Sequence, residues 1–255
     1  MRIGVCAGID NIFTAERIGF DFIEWAVVEA AFMGEQSFSE VKKRIGQCSI
    51  KPEACNCFFP GDMKITGPEL NYANISEYVK KALGRVASLG TSIVVVGSGT
   101  ARRVPDGWSR EDGIKQFGEV LAIIGEEGSQ YGITAVVEHL SKRETNIINS
   151  VEEGIQLVKM INHPNVKLLA DFYHMMVEAE NMDSIIKAGD ELRHVHIANS
   201  NGRKYPMNAD EDKYQPFFNA LKEIVYTDRI SIEAGTENFE ADAPMALSFL
   251  KSFSI

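Results

Sequence analysis

Thr134-Ala-Val-Val-Glu138 is a brief aliphatic run closed by a carboxylate. Three later stretches take the same form: Val166-Lys-Leu-Leu-Ala-Asp171, His194-Val-His196-Ile-Ala and Ile230-Ser-Ile-Glu233. Each is short, β-branched or aliphatic, and bounded by polar residues, which is the pattern of a buried β-strand. Side chains alternate faces along a strand. Ile230 and Ile232 therefore face one way and Ser231 and Glu233 the other, and Val195 and Ile197 oppose His194 and His196. The aliphatic faces can pack on helices while the polar faces look into one interior. Glu138, Asp171, His196 and Glu233 then offer three carboxylates and an imidazole at the same ends of four successive strands. That donor set suits one divalent metal ion, Mn²⁺, Co²⁺, Mg²⁺ or Zn²⁺. Each residue alone has a plainer use: a carboxylate at a strand end is commonly solvated or caps the next helix, and a lone histidine is commonly a hydrogen-bonded core residue. The recurrence on four strands is what favours a shared site.

These four residues are separated by 33, 25 and 37 residues, about the room that a strand–helix–strand unit needs. The same rhythm extends back to the start of the chain. Strands are expected at Arg2–Cys6, Phe20–Trp25, Lys51–Phe59 and Ser92–Gly97, the last an unbroken Ile-Val-Val-Val run typical of a parallel strand covered by helices. Helices are expected over 14–18, closed by Gly19, and over 37–47, capped by Ser37 or Ser39. Others should span 74–89, stopped at Gly90, and 109–131, beginning at Ser109. Further helices follow over 151–161 (capped by Ser150), 178–188, 215–225 and 244–253. Eight strands alternating with helices in one chain argue for α/β architecture, a single (β/α)₈ TIM barrel filling residues 1–255 as one domain. Gly97-Ser-Gly99 reads as a tight turn near the barrel mouth, lacking the residues of a P-loop or dinucleotide loop.

Composition agrees. The chain has 255 residues, 45% hydrophobic and 24% charged, close to the roughly 250 typical of such a barrel. No apolar run reaches the ~18 residues of a membrane span, and the first residues enter a strand with no leader pattern, so a cytoplasmic protein is expected. A net charge of −10 argues against a nucleic-acid partner. Cys6, Cys48, Cys55 and Cys57 match no zinc or redox spacing and read as reduced thiols, with Cys6 and Cys57 near strand ends and so near the site.

Active sites of such barrels lie at the C-terminal strand ends, where all four candidate ligands fall. Glu144, His174 and Arg203 lie in loops at the same mouth and supply hydrogen-bond donors and acceptors for a polyol. Each also reads as an ordinary loop residue. Arg102, Arg103, Arg203 and Lys204 are either holders of a phosphate or solvated loop charges. A metal bridging a carbonyl and its neighbouring hydroxyl would acidify the adjacent C–H through an enediolate. Two carboxylates on opposite faces could then move the proton, and Glu138 with Glu233 is the expected acid–base pair. Proton return to the same carbon inverts a stereocentre; return to its neighbour interconverts aldose and ketose.

With these residues assembled, the chain resembles the sugar phosphate isomerase/epimerase superfamily of xylose isomerase-like barrels. The resemblance is carried by Val137-Glu138-His139, Glu144, Asp171-Phe-Tyr-His174, His194-Val-His196, Arg203 and Ile232-Glu233-Ala234, with Asn56-Cys-Phe-Phe-Pro60 and Gly97-Ser-Gly-Thr-Ala-Arg102 alongside. It is most similar to ketose 3-epimerases of the tagatose/psicose type. That likeness implies metal ligands at Glu138, Asp171, His196 and Glu233, and substrate contacts at Glu144, His174 and Arg203. It also implies a small-molecule sugar or sugar phosphate as substrate, and barrels that often pair. Hydroxypyruvate isomerase and inosose dehydratase share the framework. A dehydratase on the same barrel is therefore the main rival. An endonuclease IV-like nuclease is disfavoured because it needs three zinc ions and more than the five histidines here. A non-catalytic sugar-binding barrel is disfavoured by the intact ligand set.

Overall fold

The computed structural model describes residues 1–253, so the last two residues of the domain expected over 1–255 lie outside the described residues. Eight parallel strands close into a barrel in sequence order: β1 (Arg2–Cys6), β2 (Phe22–Ala26), β3 (Ala54–Asn56), β4 (Ile93–Val96), β5 (Thr134–Glu138), β6 (Val166–Asp171), β7 (Leu192–Ile197) and β8 (Arg229–Ile232). The ring is sealed by β1 on β8, with Ile3 opposite Ile230 and Val5 opposite Ile232. Helices lie between the strands, and the fold is a (β/α)₈ TIM barrel. No helix among the described residues is long and apolar enough to cross a membrane.

Alternation along the strands builds the interior in layers. Phe22, Ala54, Ile93, Val95, Val136 and Leu169 form a buried apolar plug in the lumen, separate from the larger core between strands and helices. Gly4 leaves space for this plug, because a Cβ there would lie 2.3 Å from the Phe22 ring. Two residues further along the same strands, on the same face, stand Glu24, Asn56, Gly97, Glu138 and Asp171. The apolar plug thus closes the barrel below, and the next layer is polar and opens at the C-terminal mouth.

The helices follow local signals. Ser109 caps the helix Arg110–Ser129 by accepting from Asp112 N, and Ser150 caps the helix Val151–Ile161 by accepting from Glu153 N. Such caps satisfy amide groups that the first helical turn cannot pair. Several expectations shift, each for a physical reason. β3 pairs over three residues only, since Pro52 has no N–H to donate and Cys57 turns to φ 48. The helix expected over 178–188 forms only over Asp183–Ala188, and a short helix that was not expected, Phe172–Val177, precedes it. The Asp171 carboxylate caps His174 N at 3.0 Å, so the earlier helix begins at the strand end, and Ala179 at φ 52 interrupts the path between them. Val27–Phe32 forms a short helix directly after β2. The helix expected over 37–47 spans Glu35–Gly46 behind Gly34, with neither Ser37 nor Ser39 at its cap. The last helix starts at Phe239, capped by Asn238, and carries Pro244 inside it at the cost of one backbone hydrogen bond. The chain turns at Ser98, φ 44, inside the expected Gly97-Ser-Gly99 turn, and a short helix that was not expected, Gly99–Arg102, follows directly.

Candidate active site

Four strands deliver Glu138, Asp171, His196 and Glu233 to one point in the polar layer. One donor atom from each lies within 4.8 Å of all the others. His196 Nδ1 stands 3.3 Å from Glu138 Oε1, 3.3 Å from Glu233 Oε2 and 4.0 Å from Asp171 Oδ2. Ligands at about 2.0–2.2 Å from one ion would be roughly 3–4 Å apart, so the spacing fits a shared cation. The orientation of the imidazole fits as well. His196 Nε2 is 2.8 Å from Glu24 Oε1, with both side chains buried. An ionised carboxylate only accepts, so Nε2 carries the hydrogen and Nδ1 can point a lone pair at the cluster.

The remaining mouth residues gather around this group. Arg203 Nη2 is 2.5 Å from Glu233 Oε2 and 3.8 Å from Asp171 Oδ2, while Nη1 is 3.5 Å from Glu144 Oε1. Its guanidinium also lies over Tyr173, 4.8 Å from the ring centroid. Arg203 sits at φ 50, held by Gly235 N donating to its carbonyl at 2.8 Å. His174 is fully buried; its Nδ1 accepts from Ser141 N at 3.1 Å. The hydrogen therefore lies on Nε2, which has no partner and points between Glu144 Oε1 at 3.9 Å and Asp171 Oδ2 at 4.0 Å. A buried donor of this kind is suited to a substrate oxygen. All seven residues expected at the site are thus brought together.

Burial and charge divide the carboxylates. Burial, together with the Glu233 charge, pushes the Glu138 carboxyl above its ordinary value. Burial acts the same way on Glu233, but His196 and Arg203 outweigh it and hold Glu233 low. Asp171 is likewise held low against burial by His174, Arg203 and His196. Burial and the neighbouring carboxylates push the Cys57 thiol up to about 12 and raise Cys6 as well, so neither is a ready nucleophile. All four cysteines are free; Cys48 and Cys55 are buried, whereas Cys57 reaches solvent at the mouth although its thiol is set among the site residues.

Arg102 corrects both expectations for it. It is fully buried, donates to Glu138 O at 2.7 Å and Ile148 O at 3.3 Å, and lies over the Phe117 ring. It is a structural tie between the end of β5 and the loop before Val151, neither a phosphate holder nor a solvated charge. Sequence reasoning missed three contributors. Glu24 bridges both histidines of β7, Asn56 Nδ2 donates to Glu233 Oε1 at 3.1 Å, and Gly97 makes room for Glu138. The one available signal was a lone carboxylate between Ile23 and Trp25 in an apolar strand. A groove of about 830 Å³ borders the site beside the loops after β7 and β8, lined in part by Asn199, Lys204, Tyr205, Gly235 and Thr236.

Residues 12–253 match the family model described as xylose isomerase-like TIM barrel. An L-ribulose 3-epimerase of Methylomonas sp. (strain DH-1) is 29% identical over 226 residues, covering 86% of this chain and 76% of that protein. An L-ribulose 3-epimerase of Mesorhizobium japonicum is 25% identical over 232 residues, covering 88% and 74%. A D-psicose 3-epimerase crystallised in the presence of D-fructose superposes with a TM-score of 0.88 at 20% identity, over 99% of each chain, a likeness of fold.

Proposed function

The chain belongs to the xylose isomerase-like TIM barrel family, and from that premise we propose that it is a metal-dependent ketose epimerase acting at carbon 3. The observation that carries this reading is the convergence of Glu138, Asp171, His196 and Glu233 within 4.8 Å at the barrel mouth. Two of the curated relatives that it matches along most of its length are named L-ribulose 3-epimerases, which supports the reaction class. A divalent cation held by those four residues would polarise a substrate carbonyl and its neighbouring hydroxyl and ease loss of the adjacent C–H proton.

The chain's own residues supply the rest. Glu233, kept ionised by Arg203 and oriented by Asn56, takes the proton from C3. Glu138, on the other side of the cluster, delivers the replacement proton, drawn from solvent, to the opposite face of C3. One proton leaves and one arrives, so the stereocentre inverts and mass is conserved. His174 Nε2 donates to a sugar oxygen, Glu144 accepts from a hydroxyl, and Arg203 fixes a second oxygen. With Arg102 committed inside the fold and Arg203 engaged by carboxylates, a free ketose suits the site better than a phosphorylated one.

The test combines metal content with a ketose panel run in D₂O. About one Mn, Co, Mg or Zn per chain is expected, with deuterium entering at C3 and the epimer accumulating. Glu138→Gln and Glu233→Gln should each lower turnover by roughly 10²–10⁴-fold. Loss of water from the substrate would favour a dehydratase on the same residues. Two or three zinc ions per chain would move the reading toward a nuclease-like centre. No metal after loading, or no exchange with any ketose, would sink it.

A further inference from the structure

One buried carboxylate remains outside the chemistry described. Glu24, on β2, is 1% exposed. Its two oxygens are divided between two histidines: Oε1 lies 2.8 Å from His196 Nε2, and Oε2 lies 2.8 Å from His194 Nε2. Both imidazoles are fully buried and meet edge to face, with centroids 5.0 Å apart. Glu24 is behind His196 as seen from the cluster, so a substrate at the mouth meets the other edge of the ring, where Nδ1 faces Glu138 and Glu233.

We propose that Glu24 is a positioning residue, which fixes His196 as its Nε2–H form and so presents Nδ1 as the lone-pair donor of the cluster. The inference rests on the metal-dependent reading of the site. An ionised carboxylate accepts only, so each Nε2 facing it is an N–H. His194 supports the arrangement from the side. By occupying Oε2 it stops the carboxylate from turning away from His196, and its own Nδ1 is buried without a partner. An unpaired lone pair can be left there far more readily than an unpaired N–H⁺, so His194 is neutral and its proton is on Nε2. A carboxylate behind a ligating imidazole both orients the ring and strengthens its basicity.

Glu24→Gln tests this with little change of shape. An amide accepts from one N–H but turns its own NH₂ toward the other, so one imidazole must move its proton to Nδ1 or lose its bond. Titration calorimetry with Mn²⁺ should show the variant's Kd weakened by about 10–100-fold, with a metal-free melting temperature near that of the wild type. A lower melting temperature with an unchanged Kd would assign Glu24 a structural role only and overturn the proposal. Should the variant fail to fold, ¹⁵N spectra of the Mg²⁺-loaded wild type decide. A proton on Nε2 of both histidines supports the inference, and a proton on Nδ1 of His196 overturns it. A wild type that takes up no Mn²⁺ brings down the metal reading and this inference with it. A wild type that binds Mn²⁺, beside a variant that binds as tightly, brings down the inference alone.

Discussion

His139 follows directly on Glu138 and is fully buried. Its Nε2 accepts from Asp171 N at 3.1 Å, and burial pushes its pKa down to about 3. In an unfolded chain the same imidazole titrates near 6.5. The unfolded state therefore takes up a proton first, and stability falls as pH drops from about 6.5 toward about 3. One such group contributes a slope approaching about 1.4 kcal/mol per pH unit in that window. Urea unfolding at pH 7, 5.5 and 4.5 should show wild type losing stability faster than His139→Gln, whose amide oxygen can still accept from Asp171 N. Equal slopes would mean that the native imidazole is already charged. At this scale the sequence was informative wherever a residue's role depended on its own strand. Glu138, Asp171, His196 and Glu233 each lie within one residue of a strand's C-terminal end, and alternation alone set their direction. Glu24 was opaque because its partners lie 170 and 172 residues away, and its place between Ile23 and Trp25 marks a carboxylate in an apolar strand without naming what it bridges.

At the level of elements, β4 shows how a missing side chain shapes the centre. Gly97 follows that strand, and a Cβ there would lie 2.1 Å from Glu138 Oε2. Gly97→Ala should therefore push the carboxylate aside while β4 keeps its pairing with β5. A displacement near 1 Å in a reacting group can cost about 10²-fold in rate. Turnover should drop by roughly that factor with the circular dichroism spectrum preserved; full activity would mean that Glu138 does not need its present position. Elements with strong caps were readable to within a residue or two, the helix Val151–Ile161 behind Ser150 above all. The short helices after β2, β4 and β6 were not. Each has four to six residues, too few to display a helical stripe, and each is set by the strand end it leaves. Pro244 misled for a different reason: a proline marks a helix start by preference, yet packing of Ala243, Ala246, Leu247 and Leu250 offsets its cost further in.

For the whole molecule, three carboxylates crowded at the mouth and Glu24 beneath them repel one another, with Arg203 the nearest fixed cation. Cation binding should therefore stabilise the fold as a unit. At a free Mn²⁺ concentration of about 100 Kd the gain is about 2.7 kcal/mol, or roughly 5–10 °C in melting temperature for a chain of this size. Calorimetric scans with Mn²⁺ and then with excess EDTA should show the rise and its reversal; a melting temperature indifferent to both would count against a native cation site. The βα rhythm made the eight-stranded count legible, because each strand and its cover fit a repeating length. Closure is a property of the ensemble, since no single residue marks β1 as the neighbour of β8. That seam has a temporal meaning. Arg2 lies opposite Arg229, and Glu24 finds its histidines only on β7. A ribosome adding about 5–20 residues per second would release β1 and β2 roughly 10–45 s before their partners. During synthesis the first strands must wait with an open edge and a buried-type carboxylate still in water, and the polar layer can form only when the final strand arrives.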